Sequence, residues 1–377
     1  MPNDRDARFF RLKKMTKQTR SKLLNALLIV FTILIVFYLG ARSGNISDAW
    51  DALRSANPWW VCAAGASWLV FALFETLVLH VFYRMQHVPV RFGSSFLVSV
   101  IGMFYSNVTP AATGGQPMQV FAMKKRGVPS GITTSGLAVK FFCFQMALLL
   151  LGAGLWLIFP GFVSECIGAS RWFVYIGFLL NGLAVALVFL LAINKNIVRA
   201  IITFLLRLGK ALHIVRDLPT ASSRAEGALE DFHSSVYMLT HHPLELLWLF
   251  LLSCIQVLGL MSVAYCVYRA MGLTEQSYWH ILTLQMLLYL GASFTPLPGS
   301  TGAQEGGFYL IFQSVFPSDK LFGALLLWRF FTYYLTLIIG MGCVIFDSAV
   351  TIRGRIRKIE LPGAAPPSSC GKENELE

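Results

Sequence analysis

The chain has 377 residues, of which 56% are hydrophobic and only 13% charged, and Lys and Arg outnumber Asp and Glu by 31 to 19. A charged fraction about half that of a soluble domain excludes an ordinary water-soluble globule and points to an all-α polytopic membrane protein. The net charge of +12 is gathered into a few short segments, which makes it a topological signal rather than a nucleic-acid footprint, and no nucleic-acid partner is expected.

Residues 1–22 carry eight Lys or Arg and read as a basic cytoplasmic N-terminus. No small-residue cleavage site follows the apolar run and its sequel "IVFYLGARSG", so an uncleaved first helix is expected rather than a secretory signal. A membrane domain is expected over 23–348. Within it, Leu23 to Leu39, Trp59 to Tyr83, Leu137 to Phe159, Trp172 to Ile193, Leu244 to Tyr268 and Leu321 to Phe346 are apolar for about the length that crosses ~30 Å of hydrocarbon. Ser94 to Val108 and Trp279 to Phe294 are apolar but short, which brings the expectation to about eight membrane-inserted helices.

Each short run leads into a polar, helix-breaking stretch. The first is "TPAATGGQP" at Thr109 to Pro117, and the second is "TPLPGSTGAQE" at Thr295 to Glu305. With a two-residue gap, Thr109 aligns with Thr295, Pro110 with Pro296, Thr113 with Thr301, Gly114 with Gly302 and Gln116 with Gln304. Pro and Gly destabilise helix interiors, and lipid-exposed irregular backbone leaves amides unpaired, so both stretches must sit where protein or water satisfies them.

Basic residues orient the chain. The N-terminus, Arg84 to Arg91, Lys124 to Arg126, Asn194 to Pro243 and Ala349 to Glu377 hold 24 of them and are expected in the cytoplasm, whereas Arg42, Arg54, Arg171, Arg269 and Lys320 are left outside. On this trace the segment 109–126 enters from the cytoplasm and returns to it at "MKKRG", and 295–316 enters from outside and returns to "FPSDK". Two re-entrant helical hairpin returns of opposite orientation are the signature of an inverted-topology repeat. Helix N-termini just after each Gly pair, at Pro117 and at Glu305 or Gly306, would present free amides to an anionic headgroup in a shared cavity. Gly114, Gly115 and Gly302 would let backbone approach that headgroup, and the Ala303 aligned with Gly115 predicts that Gly115→Ala is mild.

Four charges fall inside apolar runs: Glu75, Lys140, Glu305 and Arg329. An ionised group facing lipid costs about 2.5–3.5 kcal/mol, so each should face the protein interior. They either neutralise one another as structural pairs or use Lys140 and Arg329 to hold a lipid phosphate while Glu75 or Glu305 supplies counter-charge or takes up a proton; Lys140 has the further option of snorkelling to the cytoplasmic interface. Lys195 to Arg216 reads as a basic amphipathic helix for an anionic leaflet, inside a cytoplasmic segment 194–243. The tail 349–377 is Pro-, Ser- and Gly-containing and expected to be disordered. Seven Cys without ligand spacing, an isolated His241-His242 and the lack of any GxxxxGK[ST] give no reason to expect a metal or a cofactor.

With "TPAATGGQPMQVFAMKKRGV", "TPLPGSTGAQEGGF" and the isolated Arg329 before "FFTYY" in place, the chain resembles the lysylphosphatidylglycerol synthase transmembrane family over about residues 20 to 350. This is the flippase-type membrane domain of the multiple peptide resistance factor, also found in stand-alone form. The resemblance implies a multi-pass protein of a bacterial inner membrane, with both termini cytoplasmic, that moves an anionic or aminoacylated phospholipid, or a polyprenyl-phosphate-linked lipid, between leaflets. It implies lipid-handling roles for Gly114, Gly115, Gln116, Pro117, Pro296, Pro298, Gly299, Gly302, Glu305 and Arg329; relatives often carry Glu where Gln116 stands. With the residue readings, the candidate lipid-binding set is Glu75, Thr109, Pro110, Gly114, Gly115, Gln116, Lys140, Pro296, Gly299, Gly302, Glu305 and Arg329. The tRNA-dependent synthase half is expected to be absent, so phosphatidylglycerol lysyltransferase activity, or service as membrane partner to a separate aminoacyl or glycosyl transferase, is the alternative; a homo-oligomer is compatible with either.

Overall fold

The structure is a computed structural model and describes residues 46–360 except for 195, 294 and most of 201–241. The expected first span, the basic N-terminus, most of the amphipathic stretch Lys195 to Arg216, and residues 361–377 of the expected tail lie outside the described residues. Every regular element among those described is helical.

In chain order these are α1 (Ile46–Arg54), α2 (Pro58–Met85), α3 (Phe92–Val108), α4 (Gly115–Lys124), α5 (Ser130–Ile158), α6 (Pro160–Ile167), α7 (Arg171–Ile193), α8 (Pro243–Ala270), α9 (Tyr278–Ala292), α10 (Ala303–Phe312), α11 (Ser318–Arg329) and α12 (Leu335–Glu360). Among the described residues, five helical stretches are long and apolar enough to cross a membrane: α2, α5, α7 to Leu190, α8, and the continuous run from Ser318 to Val350. They coincide with five of the six full spans expected from sequence, and α3 is the expected shorter apolar helix. The last helix continues to Glu360, past the expected end of the membrane domain. "TIRGRIRKIE" contains good helix formers, and Pro362 and Gly363 come only afterwards.

Local chemistry sets the boundaries. Pro58 opens α2 behind Asn57, whose side chain accepts from the Trp59 amide at 3.0 Å; Pro243 opens α8. Ser277 caps α9 by accepting from the His280 amide at 3.2 Å. Between α11 and α12 the residues Phe330–Tyr334 form a π turn immediately after Arg329, a distortion that tends to mark functional positions.

Two apolar clusters lie at opposite ends of the bundle. One joins Tyr268 and Met271 at the end of α8 to Phe316 and Leu321, and is tied together by Asn57 N–H donating to Ala270 O at 2.8 Å and Lys320 Nζ donating to Met271 O at 2.9 Å. The other joins Phe82, Tyr83, Val98, Met123, Val128 and Leu249. Val98 on α3 and Met123 on α4 share that second cluster, while Ile281 on α9 and Phe312 on α10 share the first. Each helix pair α3–α4 and α9–α10 therefore starts and ends at one end of the bundle, and the two pairs use opposite ends.

The helices around them correspond in length. α2 and α8 each have 28 residues, α4 and α10 each have 10, and α3 and α9 have 17 and 15. The central helices α2 and α8 pack along each other and carry the hairpins on either side.

Candidate functional site

The two hairpin tips are built alike. Pro110–Ala112 and Pro298–Ser300 are 3-10 turns, with φ of 50° and 55° at Ala111 and Ala112 and 59° and 52° at Gly299 and Ser300. Thr113 Oγ1 donates to Pro110 O at 2.9 Å, and Thr301 Oγ1 donates to Pro298 O at 2.7 Å. The tips thus correspond residue for residue without a gap, and this corrects the sequence alignment at its start: Pro110 matches Pro298, not Pro296, and Thr109 matches Leu297, not Thr295. The pairs Thr113–Thr301, Gly114–Gly302 and Gln116–Gln304 stand. A short repeat of Thr-Pro misplaced the gap because the turn is defined by backbone dihedrals and not by the Pro before it.

The tips touch. Ala111 N–H donates to Pro296 O at 3.2 Å, so a backbone hydrogen bond joins the first break to the second. The helices after the breaks begin at Gly115 and Ala303, earlier than the expected starts at Pro117 and Glu305. Pro lacks an N–H but fits the first helical turn, where no intrahelical donor is required, so Pro117 belongs inside α4. At α10, Glu305 Oε2 accepts from the Gly302 amide at 2.6 Å, closing a capping arrangement that starts the helix two residues before Glu305.

Glu305 has a second partner. Its Oε1 accepts from Arg329 Nε at 2.7 Å, and both Nη atoms of Arg329 lie 3.3 Å from Gly299 O. The guanidinium also sits against the Trp328 and Tyr333 rings, with its carbon 5.3 and 5.5 Å from their centroids. Glu305 is completely buried and Arg329 nearly so. Tyr333, presented by the π turn, lies so close to Gly299 that a Cβ there would come within 2.2 Å of the ring. One cation, one carboxylate, one ring and one carbonyl thus clamp the second tip.

Lys140 and Glu75 form the other embedded pair. Lys140 Nζ donates to Glu75 Oε1, and Gln256 Nε2 donates to Glu75 Oε2, so α5, α2 and α8 meet at one carboxylate. All three side chains are buried. Lys140 therefore does not snorkel to an interface; a carboxylate close by offers a better partner than a long reach to water. All four embedded charges are paired, as the neutralisation reading expected.

The glycines of the first tip face protein. A Cβ at Gly114 would come within 2.6 Å of the Thr109 methyl, and one at Gly115 within 1.9 Å of Ser106 Oγ and 2.7 Å of Gly102 O. Thr109 itself closes the tip, donating to Tyr105 O at 2.6 Å and accepting from Gly114 N–H at 2.8 Å. Gly115→Ala is consequently not mild, contrary to the reading from Ala303. Gly302 has open space around it, but at φ 87° it holds a conformation that L side chains rarely adopt. Pro110, Thr113, Gln116, Pro117 and Pro296 are exposed, and Gly299 and Gly302 half-buried.

Pattern reading missed Gln256 and Tyr333, whose roles depend on partners far along the chain. It also missed the α7–α9 contact. There, buried Asn181 accepts from Gln145 and donates to Gly177 O at 2.7 Å and Leu290 O at 3.1 Å, and a Cβ on Gly177 would strike Leu290 O at 2.5 Å. A lone Asn in an otherwise apolar span was the available signal.

The motifs that carry the resemblance form the two breaks and the buried Arg329–Glu305 pair at the second of them, and the comparison bears the resemblance out: residues 23–340 match the lysylphosphatidylglycerol synthase TM region. The chain belongs to this family. Curated relatives include a UPF0104 membrane protein of Archaeoglobus fulgidus, 25% identical over 302 residues that cover 77% of this chain and 87% of the relative. Two UPF0104 membrane proteins of Methanothermobacter thermautotrophicus are also similar: one is 25% identical over 80% of this chain and 89% of its own, the other 26% identical over 59% and 66%. Like the family, this is a multi-pass membrane protein.

Proposed function

We propose that this protein moves a lipid with an anionic or aminoacylated headgroup between the leaflets of a cell membrane. The observation that carries the reading is the meeting of two broken hairpins from opposite ends of the bundle, joined by the Ala111–Pro296 hydrogen bond beside the buried Arg329–Glu305 pair. Irregular backbone at membrane depth is tolerated where it lines a protein-enclosed or watered path, and inverted repeats with discontinuous helices place substrate sites at their interface.

Arg329 supplies the chemistry for a phosphate. Its planar donors match a phosphate as well as a carboxylate, so a headgroup can exchange with Glu305 without leaving the guanidinium unpaired, while Glu305 keeps its bond to the Gly302 amide. Lys140 and Glu75 offer a second exchangeable pair. Gln116, exposed at the start of α4, and the carbonyls of the two tips provide neutral contacts. Membership of the family supports a lipid-related role; phosphatidylglycerol-type lipids, including the lysylated form, and polyprenyl-phosphate lipids share the chemistry.

The orientation that follows from the basic residues places Arg126 and both termini in the cytoplasm; the bacterial inner membrane is the expected setting, although the relatives compared are archaeal. Cysteines introduced at Lys124 or Lys125 should label only from the cytoplasmic side, and those at Asp319 or Lys320 only from outside. Labelling of both sets from one face would overturn the inverted repeat.

Activity is tested in proteoliposomes carrying a fluorescent phosphatidylglycerol, read by quenching of the outer leaflet. Protein-containing vesicles should lose protected fluorescence faster than empty ones. A rate equal to that of empty vesicles, for phosphatidylglycerol, its lysylated form and a polyprenyl phosphate alike, defeats the proposal.

A further inference from the structure

The two hairpins are alike in outline and both pack on neighbouring helices. α3 lies against α2, where His80 Nδ1 is 3.2 Å from Ser95 Oγ, and against α12, where a Cβ at Gly340 would come within 2.5 Å of Phe104. The tips and arms of the two hairpins are held differently. The second is built into the scaffold: Phe173 of α7 lies against Gly291 and Gly307, Asn181 grips Leu290 O, and Arg329, Tyr333 and Glu305 hold the tip. The first has arms locked to each other. Gly102 lies against the Gln119 side chain, with a Cβ at 2.4 Å, and Gly115 lies against Gly102 O and Ser106. Its tip is exposed and meets the second tip through one backbone hydrogen bond.

Among the described residues, the ion pair that fastens this hairpin to another element lies at its open end. Arg126 Nη2 meets Asp347 Oδ1 of α12 at 2.5 Å, while Arg126 Nη1 donates to Ala122 O at 2.9 Å and keeps the guanidinium in line with α4. This pair is the most open to solvent of the three ion pairs among the described residues, with side-chain exposures of 22% and 16% against 11% and 11% for Lys140–Glu75 and 5% and 0% for Arg329–Glu305.

We propose that α3–α4 is the moving element of this protein, swinging as one body against a fixed second hairpin, and that Arg126 and Asp347 are the gating pair that latches it to α12. The inference rests on the translocation reading only for what the motion serves. Physically, a body with tight internal contacts moves as a unit, and a partly hydrated ion pair is cheaper to break than a buried one because water reaches each partner. Water does not replace a partner in the interior pairs, which exchange only with a headgroup.

The test follows burial, not transport. Ser99 on α3 and Thr283 on α9 are fully buried, and a cysteine at either is nearly the same size. In nanodiscs of the full chain with its native cysteines replaced, a small water-soluble thiol reagent should label Ser99→Cys about fivefold faster once Asp347→Asn is added, the effect of losing a pair at the top of the half-exposed range. Thr283→Cys should keep its rate. The swap Arg126→Asp with Asp347→Arg should return Ser99→Cys to its starting rate. An unchanged Ser99 rate, equal acceleration at both positions, or no recovery in the swap would each overturn the latch. Because no lipid movement is measured, the result is independent of whether the translocation reading holds.

Discussion

Arg329→Gln is expected to lower stability by about 3–5 kcal/mol, the cost of stripping one partner from a buried ion pair. Glu305 is fully buried and would be left in a low-dielectric interior with only the Gly302 amide as partner. The double variant Glu305→Gln/Arg329→Gln removes both charges and leaves a glutamine able to accept from the same amide, so it should recover most of the lost stability. Thermal unfolding in detergent measures this directly. The structural and functional readings then part: if the pair serves only the fold, the double variant should move lipid at the wild-type rate. If Arg329 receives a phosphate, the double variant should be stable and inactive. Wild-type lipid movement by a stable double variant would remove Arg329 from the mechanism.

The same comparison applies less sharply to Glu75–Lys140. There Gln256 donates to the second carboxylate oxygen, and a lone Glu75 would retain that donor after Lys140→Gln. Each orphaned carboxylate keeps one donor, but Glu75 is 8% exposed and Glu305 fully buried, so the loss of stability should be smaller than at Arg329.

Much of this architecture was legible because the membrane simplifies the code. Apolar length alone delimits α2, α5, α7 and α8, and the Thr-Pro and Gly clusters mark both breaks, since Pro and Gly cannot hide in a regular span without a reason. Basic residues pointed to hairpins that return to their own end; in the structure Val98 shares an apolar cluster with Met123, and Ile281 with Phe312. The pairing of the charges was not legible. Glu75 and Lys140 are 65 positions apart, and no local pattern distinguishes a carboxylate facing a lysine from one facing a lipid phosphate. The π turn after Arg329 was hidden as well, because "FFTYY" has the composition of an ordinary helix and the contact of Tyr333 with Gly299 joins residues far apart in the chain. Sequence alignment within the repeat also treated two glycines as interchangeable signs of a ligand cavity, although their surroundings differ.

That difference gives the clearest steric expectation. Gly115→Ala should be severely destabilising, because the new methyl would lie 1.9 Å from Ser106 Oγ and 2.7 Å from Gly102 O, and backbone cannot yield as a flexible side chain can. Overpacking of this kind costs about 1–3 kcal/mol or more, and here it would wedge the two arms of the first hairpin apart. Ser106→Gly should rescue only part of the loss, since it removes the hydroxyl but leaves the Gly102 carbonyl in place. Gly302→Ala meets no neighbour, yet it forces an L residue to φ 87°, so it should cost about 1–2 kcal/mol by strain alone and gain nothing from trimming side chains nearby. Gly182→Ala, in the middle of α7 with open space around it, is the control and should be neutral or slightly stabilising. Unfolding midpoints of the four variants should therefore rank Gly182→Ala highest and Gly115→Ala lowest, with Gly302→Ala and the Ser106→Gly/Gly115→Ala pair between them. A Gly115→Ala protein as stable as wild type would show that α3 and α4 do not cross this closely, and with it the rigid-body behaviour of the first hairpin would lose its basis.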